Sequence, residues 1–446
     1  MRSFIRQQKK PQTEKRKGGV LVLAAGLLVL IFAFAAFTVD LGLISVTKGQ
    51  MQNAADASAH SAAMELQHSF GAGAPMTNAD ARVSAESMAA HIASEHRSGN
   101  LGTTPFDAEH DIRFGRRAWD PVDAKWDIVW DTTPYNVTEV RLRRSRENNT
   151  SLPMSFAQLL GSDDAEVKAI STAAIMPGVG FGPPAGNPND SDDTSHTVEL
   201  FPFTVDLGTW DAFMTAYTTG TWAHVGSSKG YMFCSMQNNG NSQKDDDSSS
   251  GDSGSSGPVF VDKLHYNPDT GQVEQRPDGI PELNIYPDLN SGLPPGNRGT
   301  VDLGAPNNST KDLKRQIVHG LNAYDFSFFP NGIRLDQGPL YLNGDTGISA
   351  GIQSSLSQII GELRAIPIFI SVSGPGNNAQ YLIVKFVGIR VMAAKLSGGP
   401  NKRYLYVEPA PFFSPQVIRG DTQFSSDSIM TAPIIIRNDV SADDGN

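Results

Sequence analysis

VLVLAAGLLVLIFAFAAFTV, residues 20–39, runs for twenty consecutive positions without a charge and lies two glycines beyond Lys15, Arg16 and Lys17. At 1.5 Å of rise per residue this is about 30 Å of helix, the hydrocarbon thickness of a bilayer. Residues 1–19 hold seven Lys or Arg against one acid, Glu14, and the other flank opens with Asp40. The positive-inside rule therefore predicts a basic cytoplasmic arm over 1–19, a transmembrane helix over 20–39 and an exported remainder. A cleaved secretory signal is the competing reading. Its apolar region usually runs only about 7 to 15 residues, and Ala33 to Ala35 is a weak A-x-A site inside the span.

The chain has 446 residues, enough for two ordinary domains beyond the span, each able to bury a core. Its formal charge of -11 divides into +6 for the first nineteen residues and -17 for the rest, a balance that disfavours nucleic-acid binding. With 43 Gly, 28 Pro and 8% aromatics, the exported part reads as rich in loops and strands rather than as a helical bundle. Cys234 is the only cysteine, so an intramolecular disulfide and a Cys-rich zinc site are both excluded, and the thiol reads as a small apolar filler.

Beyond the span, residues 41–66 contain no Pro and have an Ala-rich centre, so the membrane helix is expected to continue outward for several turns. Asp40, Gly42, Gln50, Asn53, Ala54, Ala55, Asp56, Ala59 and Ala62 are the candidate packing and assembly positions, the small ones because they allow close approach to a helix or a sheet. A second helix is expected over 78–97, with Thr77 and Asp80 in a capping pattern and Ala81, Ala85, Met88, Ala89 and Ile92 on one face. The period then changes to two: Ile112 and Phe114, Trp126, Ile128 and Trp130, then Val140 and Leu142 alternate with polar residues, as half-buried antiparallel strands do. A short helix after Pro153 and a strand over 167–176 complete one α+β unit, 40–176. Residues 177–197, rich in Pro, Gly and Asp, read as a linker.

A β-rich α+β domain is expected over 198–436, with strands at 201–205 and 259–266 and a helix near 210–217. It carries a low-complexity insert, 238–257, expected to be mobile. Ser309 and Asp312 should cap a helix closed by Gly320. Ile352, Leu356, Ile359, Ile360 and Leu363 predict an amphipathic helix. Apolar runs at 366–372 and 381–394 around SGPGNNAQ, with 404–407, predict a closing meander, and 437–446 reads as a frayed tail.

The basic arm, the span, Val39-Asp40-Leu41-Gly42 and then Gln50-Met51-Gln52-Asn53-Ala54-Ala55-Asp56-Ala57 resemble, in this order, the N-terminal segment of TadG-like proteins of the tight-adherence (Flp) pilus assembly system. DIRFG at 111–115, VRLRRS at 140–145, PMSFAQLLG at 153–161 and AEVKAISTAAIMP at 165–177 look like later parts of the same pseudopilin-type unit. The resemblance implies a membrane-anchored, non-enzymatic pilus-assembly component in the bacterial inner membrane, with other assembly proteins or pseudopilins as partners. There is one departure from type IV prepilins, which carry Glu at mature position five. Cutting after Gly19 would place Ala24 there, which favours an uncleaved anchor.

Catalytic patterns are few. Gly347 to Gly351 matches G-x-S-x-G around Ser349, but all nine His precede Ser349, against the acid-then-His order of an α/β-hydrolase, so the stretch reads as a Gly-rich turn. Some TadG-like proteins carry a von Willebrand factor A domain, whose cation site begins D-x-S-x-S. Asp246, Ser248 and Ser250 fit the letters, yet no apolar strand feeds them, and a chance match in an Asp/Ser tract is the better reading. Arg419-Gly420-Asp421 reads as a turn, and His91 and His96 as solvated. No catalytic residue, metal site, cofactor or small-molecule substrate is expected. The alternatives are an adhesin acting through its C-terminal domain and a cell-envelope hydrolase.

Overall fold

The computed structural model describes residues 19–71, 73–224, 260–286, 297–305, 309–346, 350–374, 378–398, 402–421 and 425–436. Most of the basic arm, Cys234, the 238–257 insert, Ser349 and the 437–446 tail lie outside these residues, with the expectations attached to them.

The apolar run forms the first part of one helix, Gly19–Leu66, which continues beyond the span as the Ala-rich composition predicts. The span itself is exposed, while Asp40, Thr47, Met51, Ala54, Ala55, Ser58, Ala59, Ala62, Ala63 and Leu66 are buried. These positions recur at three and four residues and make one stripe. The second helix, Asn78–Ser94, stops three residues short of expectation. Thr77 Oγ1 accepts from Asp80 N at 3.2 Å, and Ala81, Ala85, Ala89 and Ala93 are fully buried every fourth residue.

The chain falls into two compact units, one of 1–58, 90–111 and 140–170, the other of 59–89, 112–139 and 171–446. In the first, Val140, Leu142 and Arg144 share the inward side of a strand with period two. Leu152, Met154, Val167 and Ala169 are buried with them.

In the second unit Lys125–Trp130 pairs antiparallel with Ile112–Asp120, and the end of Val167–Ala174 pairs with Ile434–Ile436. The last comes from the far end of the chain: Ile434, Ile435 and Ile436 pair antiparallel with Ala174, Ala173 and Thr172. Two more long-range contacts in the second unit point the same way, Trp126 Nε1 donating to Asp421 at 3.1 Å and the edge-to-face pair Phe70 and Phe413 at 6.2 Å. The expected boundary between a 40–176 domain and a 198–436 domain is therefore not a line of independence. Nor is 177–197 a plain linker. It opens with the strand Gly178–Phe181, which pairs with Ile333–Arg334 and Val417–Arg419 and buries Phe181 completely. Glycine at 178 and 180 hid this strand: a Cβ at Gly180 would stand 2.2 Å from Ile333 O, so only glycine permits so close a pairing.

The second unit is centred on a seven-stranded sheet, with Leu363–Ser373, Gln380–Lys395 and Tyr404–Pro409 as the expected meander. Against it pack the helix Leu207–Thr219, capped by Asp206, and the helix Thr310–His319, whose Ser309 and Asp312 form a full capping box. The expected strand at 201–205 shortens to Val205–Asp206, because Pro202 has no N–H for a ladder. Phe201 and Phe203 instead stack at 4.6 Å in the core. The expected strand at 259–266 is broken into Val261–Asp262 and His265–Asn267. The amphipathic helix is likewise cut to a 3₁₀ turn and Gln353–Gln358. Gly361 at φ +92° ends it, and Leu363 opens a strand instead.

Candidate assembly helix and its anchoring site

Asp40 stands where the apolar span ends, and its carboxylate is fixed by main-chain donors. Oδ1 accepts from Ser155 N at 3.0 Å, and Oδ2 accepts from Phe156 N at 2.9 Å and Ala157 N at 2.6 Å. These three N–H groups open the 3₁₀ turn Ala157–Leu160, which Gly161 closes in the left-handed conformation, so the carboxylate satisfies donors that the turn leaves over. Burial pushes the Asp40 carboxyl upward, but the three N–H bonds outweigh it and hold the group below its ordinary value. Two separated stretches of the resemblance, Val39 to Gly42 and PMSFAQLLG, thus meet at one ionised side chain.

Nearly three turns further out, Gln50 Oε1 accepts from Gly99 N at 2.8 Å. Gly99 has φ +61°, and a Cβ there would lie 2.6 Å from Thr47 Oγ1 and 2.9 Å from Arg144 Nη1, so both conformation and space demand glycine. Arg144 is 1% exposed. Its guanidinium donates to the carbonyls of Thr150, Ser98 and Ser151 and to Asn100 Oδ1, at 2.6 to 3.0 Å. Burial holds its pKa below the usual arginine value, and a set of fixed carbonyl dipoles replaces water around the cation. Gln52 Nε2 bridges Asp56 Oδ1 and Ile170 O, both at 2.9 Å.

Of the expected packing positions, Ala54, Ala55, Ala59 and Ala62 are completely buried, and Asp40, Gln50 and Asp56 make the bonds just described. Gly42 and Asn53 do not belong to the packed face: Gly42 has open space where a Cβ would go, and Asn53 is exposed. Sequence reasoning missed Arg144 and Gly99. The signal for Arg144 was present, since the alternation that turns Val140 and Leu142 inward turns Arg144 inward as well.

Elsewhere, His91 is exposed, whereas His96 is half-buried with Nδ1 2.8 Å from Ile92 O. Asp421 of the Arg-Gly-Asp stretch is occupied by Trp126. Among the described residues no group of three His, Cys, Asp or Glu is placed to hold a metal ion.

The helix from Val20 is long and apolar enough to cross a membrane, with a mean hydropathy of 3.0 over its best window. Neither a curated protein nor a solved structure matches the chain. Residues 18–65, which hold the span, Asp40 and the buried alanines, match the family model described as putative Flp pilus-assembly TadE/G-like.

Proposed function

We propose that the chain is a non-enzymatic, single-pass component of Flp pilus assembly. The basic arm lies in the cytoplasm, residues 20–39 cross the inner membrane, and the folded remainder stands outside, where the outer part of the long helix engages pseudopilins or other assembly proteins. The observation that carries this reading is a coincidence of position. The 18–65 family match covers the apolar span, Asp40 with its three N–H donors, and the buried alanine stripe. The same helix keeps single apolar residues exposed beyond the span, Leu41 at 54%, Val46 at 58% and Met64 at 47%.

Topology is tested by cysteine labelling in a Cys234→Ser background. Ser3→Cys should be shielded from an impermeant maleimide in intact spheroplasts, and Asn241→Cys should react; the reverse pattern refutes the orientation. The assembly role is tested by deleting 41–177 and scoring pili and co-purification of pilus components. Unchanged pili and undiminished co-purification would leave the family match as ancestry without function.

A further inference from the structure

Asp40 is the first charged residue past the apolar run, and its carboxylate holds the amides of Ser155, Phe156 and Ala157 at 2.6 to 3.0 Å. Side chains on a helix lean toward its N-terminus, so this carboxylate stands over the turn that precedes its own Cα, the last turn of the run. The three amides are therefore level with the end of the span. Burial along the helix agrees. Every residue of 20–39 is exposed except Ala36, which is half-buried. Ala36 lies about one turn below Asp40 on the same face, so the fold reaches down beside the apolar run on the side where 155–157 are bonded. The helix up to Ser58 and residues 140–170 belong to one compact unit.

The segment brought to this level suits the edge of a bilayer. Residues 148–162 carry no charged side chain. Phe156, whose amide Asp40 holds, is 40% exposed, although Met154 is buried and Ala157 half-buried. The main chain is supplied with acceptors: Asp40 takes the amides of 155–157, Gly161 N donates to Gln158 O at 3.1 Å, and Ser162 N donates to Ala157 O at 3.0 Å. Where hydrocarbon gives way to headgroups water is scarce, an amide without an acceptor is costly, and an aromatic ring is favoured.

We propose that the segment 155–158 docks on the outer leaflet of the membrane that the helix crosses, with the Phe156 ring at the boundary between phospholipid acyl chains and headgroups. Asp40 then joins the span to a second lipid contact and fixes how the first unit stands on the bilayer. The inference rests on residues 20–39 being a membrane span and is independent of any role in pilus assembly.

The test uses the full chain in phosphatidylcholine nanodiscs, with a nitroxide placed on single cysteines in a Cys234→Ser background. Collision with oxygen, which concentrates in lipid, is compared with collision with a water-soluble nickel chelate. Leu30→Cys reports the span. Asn148→Cys reports water: it is exposed, in a turn that Arg144 ties to Ser98, next to the Gly99 that Gln50 holds about 15 Å further out along the helix. The oxygen-to-nickel ratio at Phe156→Cys should shift from the Asn148 value toward the Leu30 value. Because that variant removes the ring itself, a second measurement is made on the unaltered protein: phosphatidylcholine carrying a diazirine on its acyl chain should, after irradiation, leave adducts on the peptide containing Phe156 as well as on the span. A lipid-exposed Leu30 label with a Phe156 label that matches Asn148, or photoadducts on the span and none on the Phe156 peptide, would overturn the proposal alone. A Leu30 label in water would overturn the reading of the span and the proposal with it.

Discussion

Replacing Glu408 by Gln should make the protein more stable at neutral and alkaline pH and should flatten its stability profile. Glu282 and Glu408 are 4% and 3% exposed; Glu408 lies on the strand Tyr404–Pro409, and Glu282 directly precedes the strand Leu283–Asn284 that pairs with it. Burial pushes Glu282 up to about 8, against the pull of the Lys263 and Leu264 N–H groups that it accepts. Burial first, and then the fields of Asp278 and Glu282, push Glu408 up to about 10, with Arg390 opposing. A carboxyl whose folded value exceeds its unfolded one binds the extra proton in the folded state. The stabilisation is complete below the unfolded value of 4.5 and drains away as pH rises toward the folded value.

For Glu408 the slope is about 1.4 kcal/mol per pH unit through the whole window from pH 5 to 8. At pH 7 keeping its proton costs roughly 3 kcal/mol relative to acid conditions, a large share of the stability of an ordinary domain. Glu282 adds the same sign up to about 8. Asp427, held low because Lys385 and Trp210 outweigh its burial, acts only below the ordinary carboxylate range and leaves this window clear. Urea unfolding of the detergent-solubilised chain, followed by tryptophan fluorescence at half-unit steps from pH 5 to 8, reads the slope. The wild type should lose stability as pH rises, and Glu408→Gln should lose it less steeply and exceed the wild type at pH 8. A variant with an unchanged slope, less stable than wild type throughout, would refute the reasoning.

Asp40→Ala should release the 153–161 segment, seen as faster amide hydrogen exchange at Phe156 and Ala157, with membrane insertion unaffected. Ala55→Leu adds bulk at a fully buried position and should cost about 1 to 3 kcal/mol, measured by thermal unfolding, with a parallel loss of co-purifying pilus components. Gly99→Ala should destabilise by about 1 to 3 kcal/mol from its left-handed backbone alone, before the 2.6 Å approach to Thr47 is counted, and urea unfolding measures it. Truncation after Pro433 removes the partner of Thr172, Ala173 and Ala174 and should expose that edge to proteolysis near residue 173, while the span stays inserted.

What the sequence made legible follows from the range of the signals. The long helix, the Thr77 cap, the Ser309 capping box and the closing meander all rest on residues within about four to ten positions of one another, where period and capping chemistry are sufficient evidence. The strand at 178–181 was unreadable for a local reason: glycine at alternate positions erases the apolar alternation, and those glycines leave room for the Val417 side chain at 178 and the Ile333 main chain at 180, each 2.2 Å from where a Cβ would stand. The C-terminal strand was unreadable for a non-local one. Ile434 to Ile436 is a visible apolar triplet, yet nothing nearby says that its partner lies about 260 residues earlier, at Thr172 to Ala174.

The anchoring site divides in the same way. Asp40 and Gln50 drew attention because they sit in a patterned stretch, but their partners, the 155–157 amides and Gly99, are main-chain groups that no side-chain pattern announces. The helix Gly19–Leu66 is thereby tied to the 153–161 segment and to Gly99 by main-chain groups. Of ordinary side-chain substitutions at 155–157 only proline removes such a donor, so the attachment depends chiefly on one acid, one glutamine and one glycine whose loss can each be measured separately.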